Sequence, residues 1–126
     1  MANVLLYNIS KEKMRKLSVL LLKSGIRWKA VAPEEYALPI GEIAKGSTAY
    51  TENALLQPAF TDELLLMNEF TQSRLNAFLD ALRRSRISIS LKAVVTETNA
   101  RWTSEELYRE LCAERNALQS GTKAHT

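Results

Sequence analysis

The sequence is poor in the residues that most often build reactive sites. It has one cysteine, Cys112, and one histidine, His125, which is too few for an internal disulfide or for a structural zinc site. Its four glycines do not have the spacing of a dinucleotide-binding or phosphate-binding loop. We therefore expect no metal, no cofactor and no catalytic set, and a reducing compartment such as the cytoplasm.

Long apolar runs are also missing. The run at residues 19–22 is far below the ~20 residues that a membrane span requires, and no basic leader opens the chain. Hydrophobic residues make up 46% of the chain and charged residues 25%, which excludes a disordered protein. These values predict a single globular domain over residues 1–118, a flexible tail over residues 119–126, and no association with membranes.

Charge of one sign does not dominate the chain, whose net charge is +3. The densest basic runs lie at residues 11–16 and 83–86, on what should be solvated faces of two separate helices. Because a nucleic-acid interface needs its basic residues together on one face, we expect no nucleic-acid binding.

The sequence does contain one pattern twice. Each of two continuous apolar runs, at residues 4–7 and 64–67, is followed by an asparagine, a capping residue and an amphipathic helical segment. Each helix leads to a run of alternating apolar and polar residues, at 26–31 and 87–93, which is typical of an edge strand. LLYN at 5–8 matches LLMN at 65–68, and KAV at 29–31 matches KAV at 92–94. The pattern predicts an internal βαβ repeat.

Three helix starts have the same capping signature. The predicted N-caps are Ser10, Thr71 and Thr103, and the apolar residue before each should pack on the first turn of its helix. These apolar residues are Ile9, Phe70 and Trp102. Glu106 stands three residues after Thr103, which completes a capping box.

Two βαβ units predict an α+β fold with a four-stranded sheet and an added C-terminal helix. We favour a ferredoxin-like split βαβ sheet in the order 4-1-3-2. The alternative is a small doubly wound parallel α/β sheet in the order 2-1-3-4. A parallel connection between strands 2 and 3 would need a helix of about a dozen residues, and prolines and glycines break residues 32–61 repeatedly. At most a short helix fits there, around residues 40–45.

The candidate ligand site lies between the last strand and the last helix. Thr96, Thr98, Asn99 and Arg101 immediately precede the helix that begins at Ser104, where backbone N–H groups can hold an anion. Trp102 adjoins them, and Asn68 should share their end of the sheet if the first and third strands are antiparallel. The alternative is that Thr98 and Asn99 only stabilise the turn and that Thr103 takes the free N–H groups.

Several motifs resemble a known family. They are LLYN at 5–8, LPIG at 38–41 and, above all, KAVVTETNARWTSEELYREL at 92–111. Together they resemble a family of small bacterial proteins that is catalogued as a domain of unknown function, and the similarity spans most of the chain. The family's Thr-x-Thr-Asn turn often carries proline where this chain has Glu97. The resemblance implies a bacterial protein and no activity that can be named.

The sequence alone does not determine the function. We expect a non-catalytic binding or protein-interaction module that forms a homodimer, because two helices cover only one face of a sheet whose central strands are apolar on both. Residual apolar surface is expected near Trp28, Tyr36 or Tyr50. The alternative is a small-molecule sensor with an anionic or polar ligand near residues 96–102, and an enzyme is a third possibility.

Overall fold

The apolar runs and capped helices of the sequence become the regular elements of the fold. The structure is a computed structural model that describes residues 2–46 and 60–119. Within these ranges, four strands form one sheet, and they are β1 (Asn3–Tyr7), β2 (Arg27–Ala30), β3 (Leu64–Asn68) and β4 (Leu91–Val94). The α-helices are α1 (Lys11–Ser24), α2 (Ile40–Ala44), α3 (Gln72–Arg84) and α4 (Ser104–Gln119). Short 3₁₀ helices span Pro33–Glu35 and Asn99–Arg101.

The sheet has the strand order β2-β1-β3-β4. The pairs β1/β2 and β3/β4 are parallel, whereas β1 and β3 are antiparallel, with Asn3 opposite Asn68 and Tyr7 opposite Leu64. The prediction of an α+β fold built from two βαβ units and an added C-terminal helix is confirmed.

The arrangement of the strands differs from both predicted sheets, from one in strand order and from the other in strand direction. The ferredoxin-like order 4-1-3-2 is wrong, because α1 and α3 each return the chain to the position beside the strand it has just left. Only Gly25 and Ile26 join α1 to β2, and Ile26 is buried, so the chain does not pass over a further strand. The doubly wound alternative has the observed order, but it requires all strands to be parallel. The antiparallel β1/β3 pair excludes it.

The predicted caps are present at all three main helices. The side chain of Ser10 accepts a hydrogen bond from the N–H of Lys13, and that of Thr71 accepts one from Arg74. Thr103 and Glu106 form a reciprocal capping box, with N···O distances of 2.8 and 3.3 Å. Local side-chain chemistry therefore sets where each helix begins.

Two hydrophobic clusters lie on opposite faces of the sheet. Val4, Leu6, Leu65 and Met67 point towards α1 and α3, which add their buried leucine and phenylalanine side chains. Their neighbours along the two strands point the other way, towards residues of the 31–43 segment, Phe60 and α4. Each face is thus covered by the chain itself.

Because the chain packs on both faces of the sheet, only part of the expected apolar surface is exposed. Tyr36 is only 2% exposed and belongs to the second cluster, so the expectation for Tyr36 is wrong. Trp28, on the edge strand β2, is 39% exposed, which confirms the expectation there. Tyr50 lies outside the described residues.

The two βαβ units correspond residue by residue through their first strand and helix. Ser10 corresponds to Thr71, and the buried Ile26 after α1 corresponds to the buried Ile87 after α3. Residues paired in this way are 61 positions apart, whereas the match between LLYN and LLMN pairs residues 60 positions apart. Since successive side chains of a strand point to opposite faces, only the shifted pairing keeps equivalent residues on the same face.

The short helix expected around residues 40–45 is confirmed as α2. No helix among residues 2–46 and 60–119 is long and apolar enough to cross a membrane. The predicted tail at residues 119–126 lies outside the described residues except for Gln119, which ends α4.

Candidate functional site

The loop from Thr96 to Thr103 contains most of the predicted ligand-binding residues, and Asn99 organises it. The side-chain oxygen of Asn99 accepts the N–H of Thr96 at 2.8 Å, and its amide group donates to the carbonyl of Val94 at 3.0 Å. The N–H of Asn99 donates in turn to the hydroxyl of Thr96 at 3.1 Å. Asn99 is buried, so its polar atoms serve the loop.

Three other predicted residues line a small cavity. Thr98, Arg101 and Trp102, together with Glu97, surround a volume of about 300 Å³. Thr98 and Arg101 are exposed, whereas Trp102 is half-buried and packs against the second hydrophobic cluster. The hydroxyl and guanidinium groups could therefore reach a small anion or polar molecule at this cavity.

The N-terminus of α4 is already occupied by groups of the protein. The N–H of Glu106 donates to Thr103, and the side chain of Ser104 is fully buried, 2.7 Å from the Tyr7 hydroxyl. The cap therefore supports the alternative in which Thr103 takes a free N–H group of the helix.

Asn68 lies at the predicted end of the sheet but turns to a different partner. The N–H of Val95 donates to the carbonyl of Met67, so Asn68 and Thr96 follow at the same end of adjacent strands. The amide of Asn68, however, donates to the side-chain oxygen of Asn3 at 2.9 Å. The structure thus brings Thr98, Arg101 and Trp102 around one cavity, and Asn68 is not among the residues that line it.

The LPIG motif packs against the same loop. The N–H of Ile40 donates to the carbonyl of Trp102 at 2.9 Å, and Pro39 forms an isolated antiparallel bridge with Thr103. A Cβ atom at Gly41 would lie 3.2 Å from the Cβ of Ala100, so only glycine leaves ordinary space there. Two motifs that are distant in the sequence thereby form one structural unit.

An aromatic cluster that the sequence does not reveal lies below this unit. Tyr7, Tyr36 and Phe60 contact one another with ring centroids 5.2 to 5.7 Å apart, and Tyr108 stacks on Phe60 at 4.2 Å. Burial raises the pKa of the Tyr7 hydroxyl far above its usual value, and the hydrogen bond with Ser104 offsets only part of this effect. Only the spatial arrangement joins these rings.

Tyr108 also belongs to a polar group at the edge of the aromatic cluster. Its hydroxyl donates to Asp62 at 3.1 Å, and Arg115 lies 3.8 Å from the same carboxylate. The hydrogen bond with Cys112, partial burial and the bond to Asp62 raise the pKa of Tyr108 to about 12. Cys112 is half-buried, and a guanidinium nitrogen of Arg115 lies 3.7 Å from its sulfur.

No metal site is seen in the part of the chain that the structure describes. There, no group of three or more His, Cys, Asp or Glu side chains could hold a metal ion. His125 lies outside the described residues.

The outer surface of α1 and α3, which we call the basic layer, carries two grooves. The smaller has a volume of about 430 Å³ and lies between α1 and the end of α3, with Leu20 and Ile87 in its lining. The larger, of about 820 Å³, lies between α3 and the segment that leads to β4, and Ile87 lines it too. The two grooves therefore adjoin at Ile87.

The basic layer brings together the two basic runs that seemed separate in the sequence. Because β1 and β3 are antiparallel, α1 and α3 are antiparallel as well, and the end of α3 lies beside the first half of α1. Lys13 donates to the carbonyl of Ser88 at 2.5 Å, and Arg74 at the other end of α3 donates to Ser24 at 2.8 Å. The structure thus places on one side of the sheet two basic runs that belong to separate helices.

The comparisons with known proteins give one match. Residues 63–118 match the family described as a domain of unknown function, DUF3783. The matched region begins just before β3 and covers the second βαβ unit and nearly all of α4. No curated protein and no solved structure matches the chain. The match confirms the resemblance to a family without an assigned function.

Proposed function

We propose that this chain is a non-catalytic protein-interaction module that binds its partner through the basic layer. The observation that carries the proposal is the exposure of aliphatic side chains among the cations of α1. Leu22 is 74% exposed and Val19 is 52% exposed, and Arg15 and Lys23 stand on the same helix. An exposed apolar patch that is rimmed by polar side chains marks a surface that another protein can cover.

The candidate loop supports the same proposal, because its polar residues make hydrogen bonds that hold the fold together. Asn99 joins the loop to the end of β4, and Thr103 caps α4. The sequence of this stretch is therefore explained by folding requirements, and it does not by itself require a ligand.

We also propose that the module associates with itself through the outer edge of β2, which pairs with no further strand among residues 2–46 and 60–119. The N–H of Val31 donates to the carbonyl of Leu6 in β1. In a parallel pair of strands, alternate residues direct their N–H and C=O groups to the neighbouring strand. Trp28 and Ala30 therefore direct theirs away from the sheet. The opposite edge is partly closed, since the carbonyl of Val94 accepts the Asn99 amide. Two β2 strands related by a two-fold axis would pair these groups and cover Trp28.

The proposal places the protein in the bacterial cytoplasm, with no nucleic acid and no membrane among its partners. The absence of a pair of cysteines supports a reducing compartment. The residue-by-residue correspondence of the two βαβ units supports their origin as an internal repeat.

A sensor of a small anionic or polar molecule is the second candidate function. It rests on the cavity of about 300 Å³ at Thr98, Arg101 and Trp102, where two exposed polar side chains adjoin an aromatic ring. Thermal melting against a panel of anionic metabolites tests it. A compound that stabilises the wild type but not an Arg101→Gln variant would favour the sensor.

Site-specific photo-crosslinking in the cells that naturally produce the protein tests the main proposal. A photoreactive residue at Leu22 should form a crosslink to another protein, whereas the same residue at the exposed Ala113 of α4 should not. Equal crosslinking at both positions, or none at Leu22, would contradict the assignment of the interaction to the basic layer.

Light scattering at micromolar concentration tests the self-association. The expected mass is twice the 14.2 kDa of one chain, and a Trp28→Lys variant should return it to a single chain. A control substitution of Val94, on the opposite edge, should leave the dimer intact. A wild-type monomer would remove self-association from the proposal.

A further inference from the structure

The basic layer has a charge that distinguishes it from the rest of the molecule. Residues 11–24 and 72–86 together carry nine lysines and arginines against two acidic residues. On the opposite side of the sheet, α4 carries four glutamates against two arginines. The small net charge of the chain thus conceals a strong separation of charge across the sheet.

Most cations of the basic layer make no ion pair with another residue in the part of the chain that the structure describes. Lys13 pairs with Glu63, and Arg83 pairs with Asp80. By contrast, Arg15, Lys16 and Arg86 make no ion pair with a described residue, and all three line one of the two adjoining grooves. These side chains can accept an anionic partner without breaking an internal contact.

Arg86 stands at a position whose backbone conformation is unusual for arginine. Its backbone has φ 58°, in the left-handed region that disfavours every residue with a side chain. Gly25 takes the corresponding place after α1, with φ 69°. The second unit thus has an arginine where glycine would be easier to accommodate, and the arginine lines the larger groove. Asn8 and Glu69 have the same φ and line neither groove, so what Arg86 adds to the groove is the position of its charge.

The lining of the grooves indicates what kind of anion fits. Leu20 and Ile87 line the smaller groove, Leu79 and Leu82 line the larger one, and the cations stand beside them. No aromatic side chain lines either groove, so nucleic-acid bases have no stacking platform there. A segment with both acidic and aliphatic side chains would match the grooves better than phosphates alone.

The described part of a second copy of this chain does not offer the required surface. An isologous contact between two basic layers would place like charges together. The exposed face of α4 is acidic, with Glu106, Glu110 and Glu114, but over residues 104–116 it offers no large exposed apolar residue. Val19 and Leu22 would have no counterpart in either arrangement.

We infer that the basic layer receives an acidic, amphipathic helical segment of another protein, laid along the adjoining grooves between α1, α3 and the start of β4. The inference rests on the proposed function and specifies the chemistry of the partner. The aliphatic face of the segment covers Ile87 and Val19, and its carboxylates meet Arg15 and Arg86. This is the recognition of an amphipathic helix by an apolar groove with charged rims.

Selection from a displayed library of random peptides tests this inference. Peptides about 15 residues long can form a helix once bound, and the full-length chain is the target. We expect the enriched peptides to be acidic and to carry apolar residues at intervals of three and four positions. Their dissociation constants are then measured by fluorescence anisotropy against the wild type and three variants.

The variants assign the binding to the basic layer. Arg86→Gly and Arg15→Glu should each weaken binding roughly tenfold or more, since each removes a charge-assisted contact. Arg86→Gly also relieves the backbone, so it should melt no lower than the wild type, and weaker binding could not be blamed on unfolding. Arg109→Gln, on the exposed face of α4, is the matched control and should bind as the wild type does.

The possible outcomes separate the inference from the proposed function. Enriched peptides without acidic residues that still depend on Arg15 would overturn the acidic partner and leave the interaction surface in place. Peptides whose affinity is equal in all variants would overturn both. The inference also fails if no peptide is enriched. It fails equally if a DNA duplex or an anionic phospholipid vesicle binds more tightly than the best peptide with the same dependence on Arg86.

Discussion

Gly25 and Arg86 hold the same left-handed backbone conformation at equivalent points of the two βαβ units. Gly25 directly follows α1, and Arg86 lies two residues after the end of α3. Each precedes a buried isoleucine whose N–H donates a hydrogen bond of 3.0 Å to a carbonyl of the preceding helix. The turn geometry is therefore required by the fold, because it aims the chain from the helix back to the sheet. Glycine meets that requirement without steric conflict, whereas arginine does not.

Replacing Arg86 by glycine should stabilise the protein. The left-handed conformation costs a residue with a Cβ atom about 1–2 kcal/mol, and part of this is offset by the greater freedom of glycine in the unfolded chain. We expect the free energy of unfolding to rise by about 0.5–1 kcal/mol in chemical denaturation. Arg84→Gly, at the end of α3 where the backbone is helical, should instead lower it by about 1 kcal/mol. A loss of stability in Arg86→Gly would show that the side chain makes a contact that offsets the strain.

The capping box at α4 should be measurable by a single substitution. Thr103→Ala removes the acceptor of the Glu106 N–H and should lower the free energy of unfolding by about 1 kcal/mol. Thr103→Ser keeps a hydroxyl in the same place and should lose only a small part of this. Equal losses in both variants would point to the methyl group of threonine rather than to the cap.

Two neighbouring loop residues should respond in opposite ways. Asn99→Ala leaves the N–H of Thr96 and the carbonyl of Val94 without their partner, and we expect a loss of about 2 kcal/mol in the free energy of unfolding. Thr98→Ala removes an exposed side chain and should change stability by less than about 0.5 kcal/mol. If Thr98→Ala instead abolished the stabilising effect of a metabolite, the sensor function would gain direct support.

The starts of the helices could be predicted from the sequence, because they depend on residues close together in the chain. The order of the strands could not, because it depends on contacts between distant parts of the chain. Ser10, Thr71 and Thr103 each act on an N–H group three residues away, so a short stretch of sequence contains the whole interaction. The strand order depends on where each helix returns the chain. Both β1 and β3 are apolar on each face, which indicates that they are central strands. Several strand orders keep them central, so this pattern does not decide between the orders.

The candidate loop shows the same limit at the level of single residues. Thr98, Asn99 and Arg101 have similar polarity in the sequence, yet Asn99 is buried and the other two are exposed. The difference arises because Asn99 binds the end of β4, which only the folded chain defines. The basic layer is a further example, since the antiparallel β1/β3 pair brings its two basic runs together.

High pH should unfold the protein through its tyrosines. Burial raises the pKa of Tyr7 and Tyr36, and hydrogen bonding to Cys112 contributes most to raising that of Tyr108 to about 12. A group whose pKa is raised in the folded state binds more protons there than in the unfolded chain. The folded state is therefore fully favoured below the pKa of about 10 that tyrosine has when unfolded, and it loses stability as the pH rises through the folded values.

Tyr7→Phe separates the ionisation from the packing. The variant removes the hydrogen bond to Ser104 and should lower the free energy of unfolding at neutral pH by about 1–2 kcal/mol, because a buried hydroxyl loses its partner. It should also flatten the fall of stability above pH 10, since one buried group no longer ionises on unfolding. Chemical denaturation over a series of pH values, with tyrosinate absorbance as a second signal, measures both effects. An unchanged slope in the variant would show that Tyr7 does not contribute to the alkaline transition, and would leave Tyr36 and Tyr108 as its source.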